Sequence, residues 1–188
     1  MSAKISTLLL GCCLSAAIIS PGRADEAPAP TTRPRLQHLL EVVARTTKKH
    51  FIVTGMAPDI SWEGVDDSAV SYPVLLTILA DNNLTAVEDG EVVNIIPLPL
   101  VRSYPMLTLN ARDLEKTHLP DDQVISVLIH VEHIDGTKLV PLLRPLMPQW
   151  GQLSAATETN TLIMTDRFAN VRRIADIVHR LDESAPSK

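Results

Sequence analysis

The chain is poor in aromatic residues, and its cysteines are confined to its start. It has 188 residues with two Trp, two Tyr and two Phe, and its two cysteines are Cys12 and Cys13. Six aromatic rings are too few for a platform that stacks on nucleobases or sugars. The formal net charge of −5 provides no positive field to attract nucleic acid. The composition therefore argues against nucleic acid as a partner and is typical of one medium or two small globular domains.

The motifs of common active sites are missing as well. The sequence has no Gly-rich phosphate loop and no Gly-x-Ser-x-Gly nucleophile elbow. Gly136 and Gly151 do not form the Gly-x-x-Gly loop with which KH domains clamp RNA, and His130 and His133 would point to opposite faces of a strand. We therefore predict no catalytic residue, no cofactor and no metal site. The alternative is an enzyme with an unrecognised site, which would need a deep pocket lined by acids or histidines with perturbed pKa values.

Residues 1–24 are typical of a cleaved signal peptide. Lys4 gives a positive start, residues 8–19 form an apolar run, and small residues precede the cleavage point after Ala24. A lipoprotein signal ending at Cys12 is the alternative, but the sequence stays apolar after Cys12, whereas a lipidated cysteine is normally followed by a polar tether. Cleavage would remove both cysteines, together with two positive and no negative charges, and so take the net charge from −5 to −7. No later segment is apolar enough to predict a membrane span.

The polar, proline-rich residues 25–33 predict a flexible leader. A first small domain follows over residues 34–98. Apolar residues spaced as i, i+3, i+4 and i+7 from Leu36 indicate an amphipathic helix that runs to about Lys49. Two short β-rich runs come next, at residues 51–54 and 60–62.

Local signals complete this first domain. Ser71, with Pro73 in the first turn, marks the start of a second helix. Asp89 and Gly90 lie between two β-rich runs, which predicts a hairpin. The predicted order is therefore α-β-β-α-β-β. Residues 99–121, which are punctuated by prolines, are predicted to be a linker.

Residues 122–182 predict a second small domain of order β-α-β-β-α, which is KH-like, and residues 183–188 a tail. Asp135 or Thr137 is expected to cap its first helix and Asp166 its last. The predicted inner faces comprise Ile125, Val127, Ile129 and Val131 of the first strand, Leu139, Leu142, Leu143 and Leu146 of the first helix, and Val171, Ile174, Val178 and Leu181 of the closing helix. The fold class is thus α+β, with two tandem domains that each pack two helices on one face of a small sheet and leave the other face or an edge free.

Both domains are similar to domains of one known family. The second resembles the repeated periplasmic domain of bacterial secretins, the outer-membrane channels of type II and type III secretion and of type IV pili. Four segments carry this resemblance: residues 124–129, 139–146, 159–166 (Thr-Asn-Thr-Leu-Ile-Met-Thr-Asp) and 172–182, which ends in Leu-Asp. The first domain resembles the short N-terminal domain of secretins and TonB receptors. The residues that carry this looser match are 39–44, 49–53 and 88–96.

The resemblance implies a non-enzymatic protein of the periplasm, exported and associated with the outer-membrane complex of a secretin-type machine for protein secretion or pilus assembly. A secretin continues into further repeats and a pore-forming domain, so a chain ending at Lys188 is expected to be a version of the periplasmic entrance without the pore. Its expected partners are a secretin or an inner-membrane component, and further copies of itself in a ring. The alternative is a signalling module of the TonB-transducer type, in which residues 34–98 alone bind an inner-membrane regulator.

The resemblance also implies which residues make these contacts. Partner binding is expected at two strands of the first domain, on Phe51, Ile52, Val53, Val92, Val93 and Ile95. Ring contacts are expected on the helices of the second domain, with Arg144, Arg172 and Arg173 at the rim. The competing interpretation is that the strand residues are core and the arginines are solvated.

Overall fold

Helices and strands alternate along the chain in this computed structural model, which describes residues 35–55 and 60–185. The predicted signal peptide and leader, residues 1–24 and 25–33, lie outside the described residues. The helices are α1 (Arg35–Thr47), α2 (Tyr72–Asp81), α3 (Gly136–Leu143) and α4 (Phe168–Glu183). The strands are β1 (His50–Val53), β2 (Leu84–Asp89), β3 (Val92–Pro97), β4 (Thr108–Asn110), β5 (Val124–His130), β6 (Gln152–Ala156) and β7 (Thr161–Arg167).

The first sheet has the order β1-β3-β2, with β1 parallel and β2 antiparallel to the central strand β3. The predicted hairpin joins β2 to β3, and Gly90 has a φ of +61°, in the left-handed region that glycine adopts without strain. Ser71 is the N-cap residue of α2, as predicted. α1 and α2 cover one face of the sheet. Their core includes Leu36, Leu39, Val43, Leu75, Leu79, Ala86, Val93 and Ile95.

The predicted strand at residues 60–62 is wrong. Ile60 and Trp62 are buried in the first core, but their backbone pairs with no described strand. The indole N–H of Trp62 donates to Asp67 Oδ1 at 2.9 Å. Burial in a loop, and not strand pairing, therefore explains this short apolar run, and the order of the first unit is α-β-α-β-β.

The opposite face of the first sheet is covered at Val87 and Ile96, so the first unit leaves an edge and part of this face free, in line with the expected free face or edge. A 3₁₀ segment, Leu98–Ser103, follows β3 and lies against this face. A small separate core forms there from the buried side chains of Val87, Ile96, Leu98, Val101 and Val124. The segment predicted as a linker also contains β4, which pairs in parallel with β5, and a second 3₁₀ segment, Ala111–Lys116. The prolines therefore mark a structured connection.

The second sheet has the order β4-β5-β7-β6, and its β5-α3-β6-β7-α4 part has the predicted order. α3 and α4 pack on one face, over a core that includes Ile125, Val127, Ile129, Leu139, Leu143, Leu162, Met164, Val171, Ile174 and Val178. We call β4 to α4 the second sheet unit, and α1 to Ser103 the first. Both units belong to one compact part of the chain. The described helices are all too short or too polar to cross a bilayer.

The prediction of an inner-face position is wrong for three leucines. Leu142, Leu146 and Leu181 are 65%, 40% and 40% exposed. α3 is only two turns long and passes into a 3₁₀ segment, Arg144–Leu146, in which the repeat falls from 3.6 to 3.0 residues per turn. The helical spacing therefore fails beyond Leu143, and Leu146 turns outward. Leu181 lies in the last turn of α4.

The helix caps are only partly as predicted. Asp135 caps α3 by accepting a hydrogen bond from the Thr137 N–H at 2.9 Å. Asp166 does not cap α4, because the helix begins one residue later than expected and Arg167 is its N-cap residue. The Asp166 carboxylate instead accepts from the Arg167 N–H and the Asn170 amide. Burial raises the pKa of Asp166, although these hydrogen bonds oppose the shift.

Two residues from the segments that carry the secretin resemblance hold the loop between β5 and α3. The Asn160 amide donates to the carbonyls of Val131 and Ile134 at 2.6 and 2.8 Å and accepts from the Gly136 N–H at 2.8 Å. The Asp182 carboxylate accepts from three consecutive backbone N–H groups at 2.8–2.9 Å, those of residues 132–134. Partial burial alone would raise the pKa of Asp182, but these hydrogen bonds and nearby His133 hold that pKa below its usual value.

We expect Asp182→Asn to lower the free energy of unfolding at neutral pH by about 2 kcal/mol, because the backbone donors lose a charged acceptor. Since the folded pKa of Asp182 is depressed, its contribution is present above the unfolded value of about 4 and is lost as the pH falls through the folded value. Urea unfolding at pH 7 and below pH 4 measures the difference. The control is Asp176→Asn, which removes an exposed ion pair with Arg180. Equal unfolding energies for Asp182→Asn and wild type at pH 7 would contradict the assignment.

Candidate interaction surfaces

The outer edge of β1 is an unpaired sheet edge among the described residues. β1 lies at the end of the first sheet, with β3 on its inner side. The N–H groups of His50 and Thr54 donate to carbonyls of the segment that contains β3, at 2.8 and 3.0 Å. Because alternate residues of a strand direct their N–H and C=O to opposite sides, those of Phe51 and Val53 point away from β3. These four main-chain groups are therefore available to another strand.

The side chains of β1 differ on its two faces. Phe51 and Val53 are half-buried and pack against the first core. Ile52 lies on the opposite face and is 52% exposed. A strand added at this edge would thus meet one exposed apolar side chain between two pairs of main-chain groups.

A polar cluster supports the beginning of β1. The Tyr72 hydroxyl donates to Glu88 Oε1 at 2.6 Å, and Lys49 Nζ contacts the other carboxylate oxygen of Glu88. The ring of Tyr72 lies 6.4 Å from that of Phe51. Burial, with the hydrogen bond to Glu88, raises the pKa of Tyr72, so the hydroxyl stays protonated and donates. Sequence reasoning missed this cluster because its members are far apart in the chain.

The predicted contact residues on β3 lie in a different environment. Val93 and Ile95 are 0% and 1% exposed in the first core, and Val92 is half-buried. β3 is the central strand, so β1 and β2 occupy both of its edges. Val93 and Ile95 therefore support β1 from inside the sheet, and of the three residues Val92 alone leaves part of its side chain exposed.

The three predicted rim arginines brace the second unit. Arg144 donates to the carbonyls of Pro148 and Gln149, and Arg173 to that of Leu146. These two arginines therefore hold the segment that follows α3. Arg172 instead binds Asp121 Oδ1 at 2.7 Å and lies over the ring of Phe168.

An apolar ridge runs along the outer side of α3 and the 3₁₀ segment after it. It consists of the exposed residues Pro141, Leu142, Pro145 and Leu146, and we call it the α3 ridge. The outer side of this helix and of the segment after it therefore exposes apolar surface beside Arg144.

The face of the second sheet opposite its helices carries no Asp, Glu, Lys or Arg over most of its area. By strand alternation and register it comprises Thr108, Asn110, Ser126, Leu128, His130, Gln152, Ser154, Ala156, Thr161, Ile163 and Thr165. Val124 and Arg167, at the end of this face, contact the first unit and are not counted in it. Ile163 is 40% exposed at its centre, and Ser126 and Thr165 hydrogen-bond across it at 2.9 Å. Depletion of charge is a property of the buried centre of protein interfaces. We call this surface the uncharged face.

A groove of about 540 Å³ lies between Ala111–Lys116 and α4. Leu114, Ile129 and Val178 line it together with polar side chains. Asp182, at its wall, already binds three backbone N–H groups, and Asp176 pairs with Arg180. Among the described residues, no three metal-ligating side chains cluster. The other acidic and histidine side chains at its wall are Glu115, His130 and His179.

Comparisons with known proteins relate the chain to secretins. Residues 126–187 match the family model described as the bacterial type II/III secretion system short domain. The chain is 28% identical over 152 residues to the secretin XcpQ of Pseudomonas aeruginosa, covering 79% of this chain and 22% of that protein. It is 26% identical over 188 residues to the secretin GspD of Vibrio cholerae, covering 96% of this chain and 27% of that protein. The chain thus spans about a quarter of the length of these curated relatives.

Two solved structures that are similar to this chain are also structures of secretins. The crystal structure of the N-terminal domain of XcpQ from Pseudomonas aeruginosa is 24% identical, covers 81% of this chain and 62% of that one, and has a TM-score of 0.32. The cryo-EM structure of the type IV competence pilus secretin PilQ from V. cholerae is 21% identical, covers 78% of this chain and 36% of that one, and has a TM-score of 0.30. The sequence matches are therefore what relates the chain to secretins, and the expected resemblance is confirmed.

Two isoleucines on neighbouring strands test which β residues are surface and which are core. Ile95→Ala should lower the free energy of unfolding by about 3 kcal/mol, since it leaves a cavity in the first core. Ile52→Ala, the same change at an exposed position, should alter it by less than about 0.5 kcal/mol. Urea unfolding of both variants measures the contrast. Similar losses for the two variants would contradict the assignment of Ile52 to the surface.

Proposed function

We propose that this chain is a non-enzymatic, periplasmic assembly protein of a secretin-type secretion or pilus machine. It docks onto a secretin or its inner-membrane partner through the outer edge of β1, and it associates with further copies of itself through the second sheet unit. The observation that carries the proposal is the unpaired edge of β1 in a chain whose relatives are secretins. The predicted signal peptide supports the location.

Docking at β1 would occur by strand addition. An incoming strand can hydrogen-bond to the N–H and C=O groups of Phe51 and Val53 and cover the side chain of Ile52. Each such hydrogen bond contributes about 1 kcal/mol net. The ordering of the incoming strand offsets part of this gain. The edge alone thus supports a weak contact, which repetition over several copies would strengthen.

Val53→Pro tests docking by removing one outward N–H group. Proline is tolerated on an edge strand where its nitrogen faces outward, so the pairing of β1 with β3 should remain. We expect capture of a secretin or inner-membrane secretion component, in crosslinked pull-downs from cells that carry such a machine, to fall at least about fivefold. The matched control is Val53→Ala, which shortens the side chain and keeps the N–H.

Val53→Ala should therefore capture the component as wild type does. Circular dichroism of both variants verifies that they fold. Loss of capture by both variants, or by neither, would count against strand addition. Clean wild-type pull-downs without any envelope component would count against docking altogether.

Self-association would join the two distinctive surfaces of the second unit. The α3 ridge lies on the helical side of the second sheet, and the uncharged face lies on the opposite side. Contact between the α3 ridge of one copy and the uncharged face of the next would bury apolar side chains without burying an unpaired charge. Such a head-to-tail contact repeats, and it forms a ring if its rotation closes.

Lysine substitutions test this arrangement in solution. Leu142→Lys on the ridge and Ile163→Lys on the face should each abolish higher-order assembly, because each buries a charge at the contact. Val65→Lys changes an exposed valine of the first unit and should leave assembly unchanged. Light scattering over a concentration series gives the mass.

Mixing the two blocked variants distinguishes head-to-tail from symmetric contact. Leu142→Lys keeps an intact face and Ile163→Lys an intact ridge, so an equimolar mixture should form dimers that cannot grow. A monomeric wild type at every concentration, or a mixture that stays monomeric, would contradict the proposed contact.

The structure gives the signalling alternative little support. That alternative requires residues 34–98 to act alone. In the structure the second face of the first sheet is covered by Leu98, Val101 and Val124, of which two lie beyond residue 98. A fragment ending there would expose Val87 and Ile96.

A further inference from the structure

The two sheet units meet at the C-terminal end of α2. Asp122 Oδ2 accepts a hydrogen bond from Thr77 Oγ1 at 2.7 Å, and its other oxygen lies 3.6 Å from the Arg167 guanidinium. The Arg167 guanidinium also donates to the carbonyl of Ala80 at 3.5 Å. A cation at the C-terminal carbonyls of a helix is favoured by the helix dipole. Asp122 and Arg167 therefore form a fork that holds the last turns of α2.

Both members of this fork are fixed within the second unit. The Phe168 N–H donates to the Gln123 carbonyl at 2.8 Å, and the Ala169 N–H donates to the Asp121 carbonyl at 3.0 Å. Arg167 is the N-cap residue of α4. The fork is thus preformed on the second unit, and it binds α2 of the first unit.

The apolar part of the contact is small. In the core that lies between the units, only Val124 is a fully buried contribution from the second unit, and Trp150 adds a partly buried one. Burial of one such valine is worth about 2 kcal/mol. The fork adds a hydrogen bond and an ion pair to this contact.

Two buried polar atoms at the same contact oppose it. Arg167 Nε and Thr85 Oγ1 have no hydrogen-bond partner among the described residues. Thr85 lies on the same face of β2 as Val87, which faces this contact. A buried polar group without a partner costs about 1–3 kcal/mol. These two unpaired atoms therefore weaken the closed contact.

The connection between the units lies outside the strands of both sheets. The 3₁₀ segment that ends at Ser103 packs on the first unit, and Leu107 accepts a hydrogen bond from Ser126 of the second. Between them, Tyr104 makes the one backbone hydrogen bond described, to Val101. Rotation here would change the dihedral angles of residues 103–107 and also displace the side chains of Tyr104 and Met106, which pack against the core between the units.

We propose that the contact between the units is a hinged joint that Asp122 latches. The closed state places the β1 edge and the uncharged face at one fixed orientation, and release of Asp122 frees the second unit to turn about residues 103–107. This inference rests on the geometry of the joint and not on the proposed function, because its test needs no partner.

The distance between two spin labels tests the latch. Cys12→Ser and Cys13→Ser remove the chain's own thiols, and Glu91→Cys and Glu158→Cys place one label in an exposed turn of each unit. We expect wild type to give one narrow distance distribution. Asp122→Ala should broaden it and increase the displaced population at least about fivefold, which corresponds to the loss of one hydrogen bond. The matched control is the neighbouring Asp121→Ala, whose carboxylate pairs with Arg172 inside the second unit and which should leave the distribution narrow.

A second pair of variants changes Thr77, the residue of the first unit that Asp122 binds. Thr77→Val removes the hydroxyl that Asp122 binds and should broaden the distribution, whereas Thr77→Ser keeps the hydroxyl and should not. This pair also keeps the test decisive if Asp122→Ala does not fold. Unchanged distributions for Thr77→Val and for any folded Asp122→Ala would overturn the latch, as would equal broadening by Asp121→Ala and Asp122→Ala.

Discussion

A small sheet that does not close on itself must end in strands whose outer main-chain groups have no partner within the sheet. In the first unit, β1 is such an edge strand. β2 lies at the other edge, where it meets the 3₁₀ segment Leu98–Ser103 and the second unit. The helices cover one face of this sheet, and the 3₁₀ segment covers the other face at Val87 and Ile96. The β1 end of that second face stays open, with the exposed side chain of Ile52 and the outward main-chain groups of its neighbours.

The parts of the fold that the sequence predicted are those determined by local rules. The hairpin at Gly90, the cap at Asp135 and the alternating burial of β5 each depend on residues within a few positions of one another. The second face of the first sheet could not be predicted in this way, because its cover comes from a proline-punctuated segment and from Val124 of the other unit. Ile60 has the apolar character of a strand residue, but only the packed structure assigns it to a buried loop.

The candidate surfaces also differ in whether a local stretch of sequence or only the packed structure identifies them. The resemblance pointed to β1, and the register of β1 with β3 then identified which of its main-chain groups face outward. By contrast, the uncharged face is not visible in any one segment, since four strands that are far apart in sequence contribute to it. The residues that carry the resemblance include Asn160 and Asp182, which hold a loop by hydrogen bonds. Similarity in those residues therefore indicates a similar fold, and the function has to be argued from the exposed surfaces.

Weak contacts and a movable joint are compatible requirements for an assembly protein. A β1 edge that offers about four main-chain hydrogen bonds binds strongly only when several copies present it together. Copies can do so only if their edges point in a common direction, and the contact of Asp122 with Thr77 sets that direction relative to the second unit. If the joint could not open, the β1 edge would fit one orientation of the partner and exclude others. A joint that opens lets the assembled partner select the orientation, at a cost that the repeated contacts can offset.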